Sequence, residues 1–481
     1  MNEIPYLERE KRKTILLLSD DIRLYSGVAT MSREIVTKTA SYYNWYQVGA
    51  AVEHSQKGKL VDISEEVNQM TGLKDSSVKL LPYSGYGDAP LLRKLLKEVK
   101  PDAIFIFTDP RYWKWLFAIE REVRSKVPII WLNIWDNYPA PLYNRDFYRS
   151  VDALFAISQQ TKVINELVLG EEAQRKIIKY IPHGVDETVF FPIEKESEIY
   201  PAFEEFKKNI FQGKEIDFVV FWNSRNLSRK RPADVILAYR HFCDSLPKEE
   251  AKRCALVMHT EVVSNAGTDL IAVKNALCDP EYVNIYFSTE RLLPSQMNLL
   301  YNLADVNVLI SSNEGWGLSL TESMMAGTMN ILNVTGGMQD QARFQNEEGE
   351  WLQLSSEVPS NHRATYKRCG EWTLPVFPSN ISLSGSPTTP YIFDDRAAVE
   401  EVAHKMLIAY YTPKEERDRR GRAGRAWALS SEAKMSASAM SKSIMEGIDE
   451  CLRTFKPRLK YEVLHVEDTT FPRVKHELLN Y

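Results

Sequence analysis

The chain has 481 residues, of which 44% are hydrophobic and 26% charged, and its formal net charge is -5. This composition is ordinary for a globular protein, and the length allows up to about three domains of ~100–200 residues. The negative balance argues against a surface tuned as a whole for nucleic acid, although a local basic patch is compatible with it.

The cysteines and the N-terminal segment indicate where the protein works. The five cysteines are odd in number and form no Cys-x-x-Cys pair, which argues against a disulfide framework or a zinc ribbon. The start, MNEIPYLEREKRK, lacks an apolar signal-peptide core, and no apolar run reaches membrane-spanning length. We therefore expect a cytoplasmic protein without a membrane partner.

Short apolar runs alternate with helix-like stretches along the chain. Helix-like stretches include Ala89–Val99 and Gln159–Leu169. The runs are continuous rather than alternating, as is typical of parallel strands covered on both faces. Their order predicts an α/β protein with two doubly wound domains. The predicted strands are Thr14–Ser19, Ala103–Thr108, Ile129–Ile134, Ala153–Ser158 and Ile177–Pro182, then Asp217–Trp222, Ala255–His259, Val283–Phe287, Val306–Ile310 and Met329–Val334.

The domain boundaries follow from a break in this rhythm. Residues 191–215 are charged and lack a buried-strand pattern, so we place one domain at 1–190 and a second at 215–430. A C-terminal helix and tail would occupy 431–481. Residues 351–396, rich in Pro, Ser, Asn and aromatics, are expected to be an irregular insertion, and loops of that length are usually functional.

The segment SSNEGWGLSLTESMMAG, at 311–327, carries the clearest chemistry. It follows a buried strand and turns into a helix that begins near Leu318. Free N–H groups at a helix N-terminus favour a diphosphate, and glycines in the turn let a ligand approach the backbone. Glu314 in the turn and Glu322 in the helix are suited to sugar and ribose hydroxyls. The alternative for Ser319 and Glu322 is a capping box that needs no ligand.

This segment resembles the Glu-x7-Glu signature of the family 4-type retaining glycosyltransferases, which have the GT-B fold. Other pieces resemble that family in the same order, and together they cover most of residues 14–340. The chain as a whole is similar to members encoded by tailed bacteriophages. The matching pieces are SGVAT (26–30), IPHGVDETVFFP (181–192), WNSRNLSRK (222–230), LPSQMNLLYNLADVNVLISSNEGWG (293–317) and VTGGMQD (334–340).

The resemblance implies two Rossmann-like domains facing across a cleft, a nucleotide-sugar donor such as a UDP-sugar, and no metal or other cofactor. It implies catalytic roles for Glu314 and Asp136, although Trp135 stands where the family often has histidine. His183, in the domain-joining motif, is expected to be structural. The donor-binding residues implied are Gly27, Arg225, Lys230, Gly315, Trp316, Gly317, Leu318, Ser319 and Glu322.

Aromatic residues interleaved with basic ones suggest where an acceptor binds. Such residues stack bases and hold backbone phosphates, although packing aromatics beside solvated charges give the same pattern. The resemblance to phage enzymes implies 5-hydroxymethylcytosine in double-stranded DNA as the acceptor, with arabinose from UDP-arabinose as one candidate sugar. The candidate acceptor residues are Trp113, Trp135, Arg363, Lys367 and Trp372.

Three alternatives stay open at this point. The acceptor can be a protein, a lipid or an oligosaccharide. The chain can be a sugar-nucleotide epimerase or a phosphorylase on the same fold. It can also be a non-catalytic DNA-binding protein that retains the fold.

Overall fold

The computed structural model describes residues 4–50 and 55–459, and it contains two parallel β-sheets flanked by helices. The first sheet has eight strands in the order β3-β4-β2-β1-β5-β6-β7-β8, with only β3 antiparallel to its neighbour. These strands are β1 (Lys13–Asp20), β2 (Tyr43–Ala50), β3 (Val61–Asp62), β4 (Val78–Pro82), β5 (Ala103–Phe107), β6 (Ile129–Asn133), β7 (Ala153–Ala156) and β8 (Ile177–Tyr180).

Seven α-helices connect the strands of this first domain. Short 3-10 turns lie at Arg9–Lys11, Pro110–Trp113, Leu142–Asn144 and Gly170–Arg175. The α-helices are α1 (Gly27–Thr39), α2 (Ser64–Thr71), α3 (Ala89–Glu98), α4 (Lys114–Phe117), α5 (Glu120–Arg124), α6 (Arg145–Arg149) and α7 (Gln159–Leu169).

The second domain is built on a six-stranded, fully parallel sheet in the order β11-β10-β9-β12-β13-β14, with a separate β15–β16 hairpin. A 3-10 turn at Ser228–Lys230 follows its first strand. The strands are β9 (Phe218–Asn223), β10 (Cys254–His259), β11 (Ile285–Ser288), β12 (Val306–Leu309), β13 (Met329–Asn333), β14 (Thr373–Val376), β15 (Asn380–Ser386) and β16 (Thr389–Arg396).

The remaining helices surround this sheet or return to the first domain. They are α8 (Tyr200–Phe211), α9 (Pro232–Asp244), α10 (Lys248–Ala251), α11 (Leu270–Leu277), α12 (Pro294–Leu303), α13 (Leu318–Met325), α14 (Met338–Ala342), α15 (Val399–Tyr411), α16 (Lys414–Ala428) and α17 (Ala437–Thr454).

The sequence pattern explains why these strands form a covered sheet. Every residue of β5, β6 and β7 is buried, because helices cover both faces and no position tolerates a polar, solvent-facing side chain. The predicted α/β class is confirmed, and all ten predicted strands occur. The predicted helix at 159–169 is capped by Ser158, whose hydroxyl accepts a hydrogen bond from the Thr161 amide.

The prediction that residues 351–396 are irregular needs correction, and the structure also bears on the predicted break at 191–215 and on the predicted tail. The break at 191–215 contains α8, an amphipathic helix that buries Phe203 and Phe211. The predicted insertion at 351–396 contains the β15–β16 hairpin and β14, which is an edge strand of the six-stranded sheet in the second domain. Of the predicted tail, residues 460–481 lie outside the described residues.

Within residues 4–50 and 55–459 the chain crosses between the domains twice, and the two crossing segments are hydrogen-bonded to each other. The Val185 amide donates to the Met435 carbonyl at 3.0 Å, and the Ala437 amide donates to the Val185 carbonyl at 3.0 Å. Gly184 permits this contact, because a Cβ there would lie 2.1 Å from the Ser436 carbonyl oxygen. The joining segment and the start of α17 therefore form one paired connection.

The helix α17 packs on the first domain, although it follows the second in sequence. Its Asp449 carboxylate accepts a hydrogen bond from the Tyr43 hydroxyl at 2.6 Å. Its Gly447 faces Phe155, a fully buried side chain of β7. The first domain is therefore completed by the C-terminal end of the described chain.

The β15–β16 hairpin makes a further bridge between the domains. The Tyr143 hydroxyl donates to the Tyr391 carbonyl at 3.2 Å, and the Phe393 amide donates to the Tyr138 carbonyl at 2.5 Å. The hairpin thus rests on the segment that follows β6 in the first domain.

Replacing Gly447 by Val should destabilise the docked helix. A Cβ at this position would lie 2.5 Å from Phe155 Cζ, so the buried ring must move. Overpacking of this kind costs about 1–3 kcal/mol, which calorimetry would record as a lower Tm. Glu446→Ala, in the same helix with a side chain 57% exposed, is the matched control. An unchanged Tm for the valine variant would contradict the packing described here.

Candidate active site

The turn between β12 and α13 and the turn after β13 each contain a glycine in a conformation that other residues rarely adopt. Gly317 has φ +89°, in the left-handed region. Gly336 has φ +52°, and a Cβ on it would lie 1.9 Å from the Glu314 carbonyl oxygen. The Gly337 amide donates to that same oxygen at 3.1 Å. Two glycine-containing turns therefore lock together and fix the backbone that carries Glu314.

Glu314 forms an ion pair with Lys230 at the carboxyl edge of the second sheet. The Lys230 ammonium donates to Glu314 Oε2, and both side chains are almost entirely buried. The Ser311 hydroxyl donates to the same oxygen at 3.1 Å. The two charged residues follow β9 and β12, which are neighbouring strands, so parallel topology brings them together.

Arg229 is a second cation in this cluster, and it is not among the site residues predicted from the sequence. Its Nη1 donates to the Asn313 carbonyl at 2.9 Å and lies 3.6 Å from Glu314 Oε2. Burial opposes ionisation of Glu314, but the charges of Lys230 and Arg229 outweigh it and lower the pKa of that carboxyl. The sequence feature that could have identified Arg229 is its position next to Lys230.

Asp136 faces this cluster from the first domain. A Cβ on Gly315 would lie 3.2 Å from the Ile134 carbonyl and 4.0 Å from Asp136 Oδ2. Burial raises the pKa of Asp136 to about 6; the Arg229 charge lowers it and the Glu314 charge raises it. The structure thus brings together the two residues predicted to be catalytic, one from each domain.

The N-termini of two helices meet across the cleft. Gly27 begins α1 and Leu318 begins α13, and a Cβ on Gly27 would lie 3.4 Å from Leu318 Cδ1. No side chain caps α13. Unpaired N–H groups and the helix dipole make such an end favourable for an anion. This pair of helix ends lies beside predicted donor residues Gly315 and Ser319.

Glu322 does not form the capping box considered from sequence. The N-cap of α13 is Gly317, and the Glu322 carboxylate instead accepts a hydrogen bond from the Tyr301 hydroxyl at 2.5 Å. The Asn223 amide donates to that hydroxyl at 2.9 Å. Burial raises the pKa of Glu322. Tyr301 and Asn223, which support this carboxylate, were not singled out from the sequence, although both lie in pieces that resemble the family.

A cavity of about 820 Å³ begins at Glu322 and extends between the domains. Its lining includes Tyr25 from the loop before α1 and Leu292 and Pro294 from the second domain. The Arg291 guanidinium lies 3.2 Å from the centre of the Tyr25 ring, which is a cation–π contact across the domain boundary. The volume is ample for the nucleoside part of a ligand.

Two predicted donor residues lie elsewhere than in the ion-pair cluster. The Arg225 side chain is 73% exposed and lies 3.9 Å from Glu261. Trp316 is buried, donates to the Thr321 hydroxyl at 2.9 Å and packs edge-on against His183. Burial lowers the pKa of His183 to about 3, which agrees with the structural role expected for this histidine.

The predicted acceptor residues do not converge. Trp113 is fully buried, and Trp372 is stacked on Trp427 inside the second domain, so neither ring is free to contact an acceptor. Trp135 is also buried, and its indole donates to the Asn137 carbonyl at 3.1 Å. The correction has a simple physical reason: these large rings fill the domain cores. Arg363 and Lys367 are exposed.

Within residues 4–50 and 55–459, no group of three or more His, Cys, Asp or Glu side chains is arranged to hold a metal ion. In the same ranges, no helix is both long enough and apolar enough to span a membrane.

The fold is that of known nucleotide-sugar enzymes. No protein-family model matches the chain, and no curated protein sequence does either. Among solved structures, the HepE protein of Anabaena in complex with UDP and glucose is 12% identical, with a TM-score of 0.62 over 91% of this chain and 100% of its own. Sucrose-phosphate synthase from Thermosynechococcus elongatus is 12% identical, with a TM-score of 0.62 over 92% and 100%.

An Escherichia coli trehalose-6-phosphate protein bound with UDP-2-fluoro glucose is 11% identical, with a TM-score of 0.59 over 92% of this chain and 99% of its own. These neighbours have the GT-B fold, and the expected architecture of two Rossmann-like domains facing across a cleft is thereby confirmed.

Replacing Asp136 by Asn should stabilise the protein at alkaline pH. The pKa of Asp136 is raised from 3.8 to about 6 on folding, so its ionisation disfavours the folded state above about pH 6 and has a smaller effect as pH falls toward 3.8. We expect a gain of at most about 3 kcal/mol at pH 8 and a smaller gain at pH 5.

Calorimetric Tm values at the two pH values provide the measurement. Asp146→Asn, at a side chain 90% exposed, is the control and should change neither value. A lower Tm for the Asp136 variant at pH 8 would show that the carboxylate stabilises the fold instead.

Proposed function

We propose that the chain is a retaining glycosyltransferase that moves a sugar from a UDP-sugar to an acceptor hydroxyl. The observation that carries this proposal is the Lys230–Glu314 ion pair, set beside the uncapped N-terminus of α13 and opposite Asp136. A cation and a helix N-terminus stabilise a departing diphosphate, and carboxylates bind sugar hydroxyls.

The position of Glu322 supports the assignment of the donor. It lies one turn along α13 from the helix end proposed to bind the diphosphate, and it borders the cavity described above. A ribose there would offer its hydroxyls to the carboxylate, and the base would extend into the cavity. UDP or a UDP-sugar derivative is bound in the HepE and E. coli neighbours, which agrees with a uridine donor here.

The proposed reaction breaks the bond between the sugar C1 and the diphosphate oxygen, and the leaving UDP takes the electron pair. The acceptor oxygen bonds to C1 from the same face, and its proton passes to the departing phosphate. Lys230 and the α13 N-terminus would stabilise the leaving group, with Arg225 turning inward to join them. Glu314 would position the sugar, and Asp136 would orient the acceptor hydroxyl. Closure of the domains would exclude water as a competing acceptor.

For the acceptor, we propose 5-hydroxymethylcytosine in phage DNA, with arabinose from UDP-arabinose as the first sugar to test. The exposed cations Arg363 and Lys367 support a polyanionic acceptor, because the segment that carries them contacts the second domain directly and the first domain through Gln339. In that segment the Asn361 amide donates to the Gln339 side chain, which in turn donates to Gln160 of the first domain.

The test is a transfer assay read by nucleoside mass spectrometry. A panel of UDP-sugars that includes UDP-arabinose and UDP-glucose is offered with hydroxymethylcytosine DNA and with unmodified DNA. A pentose or hexose mass gain on hydroxymethylcytosine alone supports both parts of the proposal. UDP release without a DNA product keeps the transferase and rejects this acceptor, and an altered nucleotide sugar without transfer favours an epimerase. Absence of UDP-sugar binding favours the non-catalytic alternative.

Replacing Lys230 by Ala should reduce turnover about 10²–10³-fold, because a leaving-group contact is lost and Glu314 is left without its buried partner. The rate of UDP release at saturating donor is the measurement. Lys248→Ala, at a side chain 59% exposed on α10, is the matched control and should keep normal turnover. Normal turnover in the Lys230 variant would remove the phosphate assignment.

A further inference from the structure

Two tyrosines form a stacked pair at the carboxyl edge of the first sheet. The ring centres of Tyr86 and Tyr112 are 4.3 Å apart with an interplanar angle of 23°. Tyr86 lies on the loop after β4, and Tyr112 lies on the turn after β5. Tyr86 also contacts the buried Trp113 edge-on, so the pair is anchored on the domain core. Tyr112 is 48% exposed, which leaves one face of its ring open.

A short chain of contacts connects this pair to the proposed donor site. The Tyr86 hydroxyl donates to Asp20 Oδ1 at 2.6 Å, and the Ser26 hydroxyl donates to Asp20 Oδ2 at 2.6 Å. Ser26 is the N-cap of α1, whose first residue, Gly27, faces Leu318. The stacked pair and the proposed donor-binding helix ends therefore lie at the same edge of the first sheet. This edge faces the second domain.

The surroundings of Tyr112 favour a flat ring as the ligand over a cluster of hydroxyl groups. Both oxygens of Asp20 are already hydrogen-bonded within the protein. Arg111 donates two side-chain hydrogen bonds to Asp109, at 2.8 and 2.7 Å. A base stacks on an aromatic face through its π system and needs no free hydrogen-bonding group beside the ring.

The charge around the ring fits a nucleotide. Lys114 lies two residues after Tyr112 in the sequence and is exposed. Cations beside a stacking ring hold the phosphates that flank a base, and this combination is common in proteins that bind single strands. A base in a duplex would have to be flipped out to reach the ring.

We propose that Tyr112, supported by Tyr86 and Asp20, is the stacking platform for the pyrimidine base of a nucleic-acid acceptor. The proposal rests on the proposed function, because it identifies where the acceptor of that reaction binds. It also replaces Trp113, the residue predicted from sequence, with its exposed neighbour.

The test measures binding and catalysis separately. The probe is a short, fluorescently labelled single-stranded oligonucleotide with one 5-hydroxymethylcytosine, and binding is followed by anisotropy. Tyr112→Ala should weaken this binding about tenfold to a hundredfold, since stacking of one base is lost. Tyr112→Phe keeps the ring and should bind like the unaltered protein. Tyr411→Ala, at a tyrosine 66% exposed on α15, is the matched control.

Titration with UDP and hydrolysis of the donor by water show whether the variants stay folded and keep the donor site. Both should be unchanged in Tyr112→Ala, while the KM for the oligonucleotide rises by the same factor as its Kd. Unchanged oligonucleotide binding in Tyr112→Ala overturns the proposal, and so does an equal loss of UDP binding. If UDP binds to no variant but oligonucleotide binding still depends on Tyr112, the proposed function fails and the platform stands. Equal weakening for an oligosaccharide probe would overturn the choice of a base.

Discussion

The negative charge of a buried carboxylate must be balanced by nearby cations, and this requirement organises the cleft. Glu314 is held inside the protein with its charge intact because Lys230 lies against it and Arg229 lies 3.6 Å away. Asp136 adds a second negative charge from the opposite domain. Two cations and two carboxylates thus balance one another in this cluster. A diphosphate would add negative charge, and the proposed inward turn of Arg225 would offset it.

The geometry of this charge cluster depends on the backbone rather than on the side chains alone. Gly336 and Gly337 pack directly against the Glu314–Trp316 backbone at distances that exclude any Cβ. The β12–α13 turn is therefore rigid, and it presents both Glu314 and the start of α13 from one fixed frame. Preorganised groups of this kind need no rearrangement when charge develops on a leaving group.

Much of the fold was readable from the sequence because buried parallel strands are continuous apolar runs. The strand β2 was missed because YNWYQVGA interrupts that pattern; its buried Gln47 is accommodated by hydrogen bonds to Ser19 and to the Asp20 carbonyl. In the cleft, Glu314 and Lys230 follow neighbouring parallel strands, so the topology explains their meeting, although the sequence analysis assigned them separate roles and did not predict the ion pair. The acceptor prediction was wrong at Trp113 because residues 110–113 form a tight turn, and only the structure distinguishes the ring that points inward from Tyr112, which points outward.

The paired crossing at Val185 and Ser436 has a mechanical consequence. A single connecting segment between two domains permits both bending and twisting. Two hydrogen-bonded segments would resist twisting more than bending. Any change in the angle between the domains at this connection would therefore be a bend, which moves the ends of α1 and α13 apart or together. The paired segments would in this way favour the alignment of Gly27 with Leu318 that the structure shows.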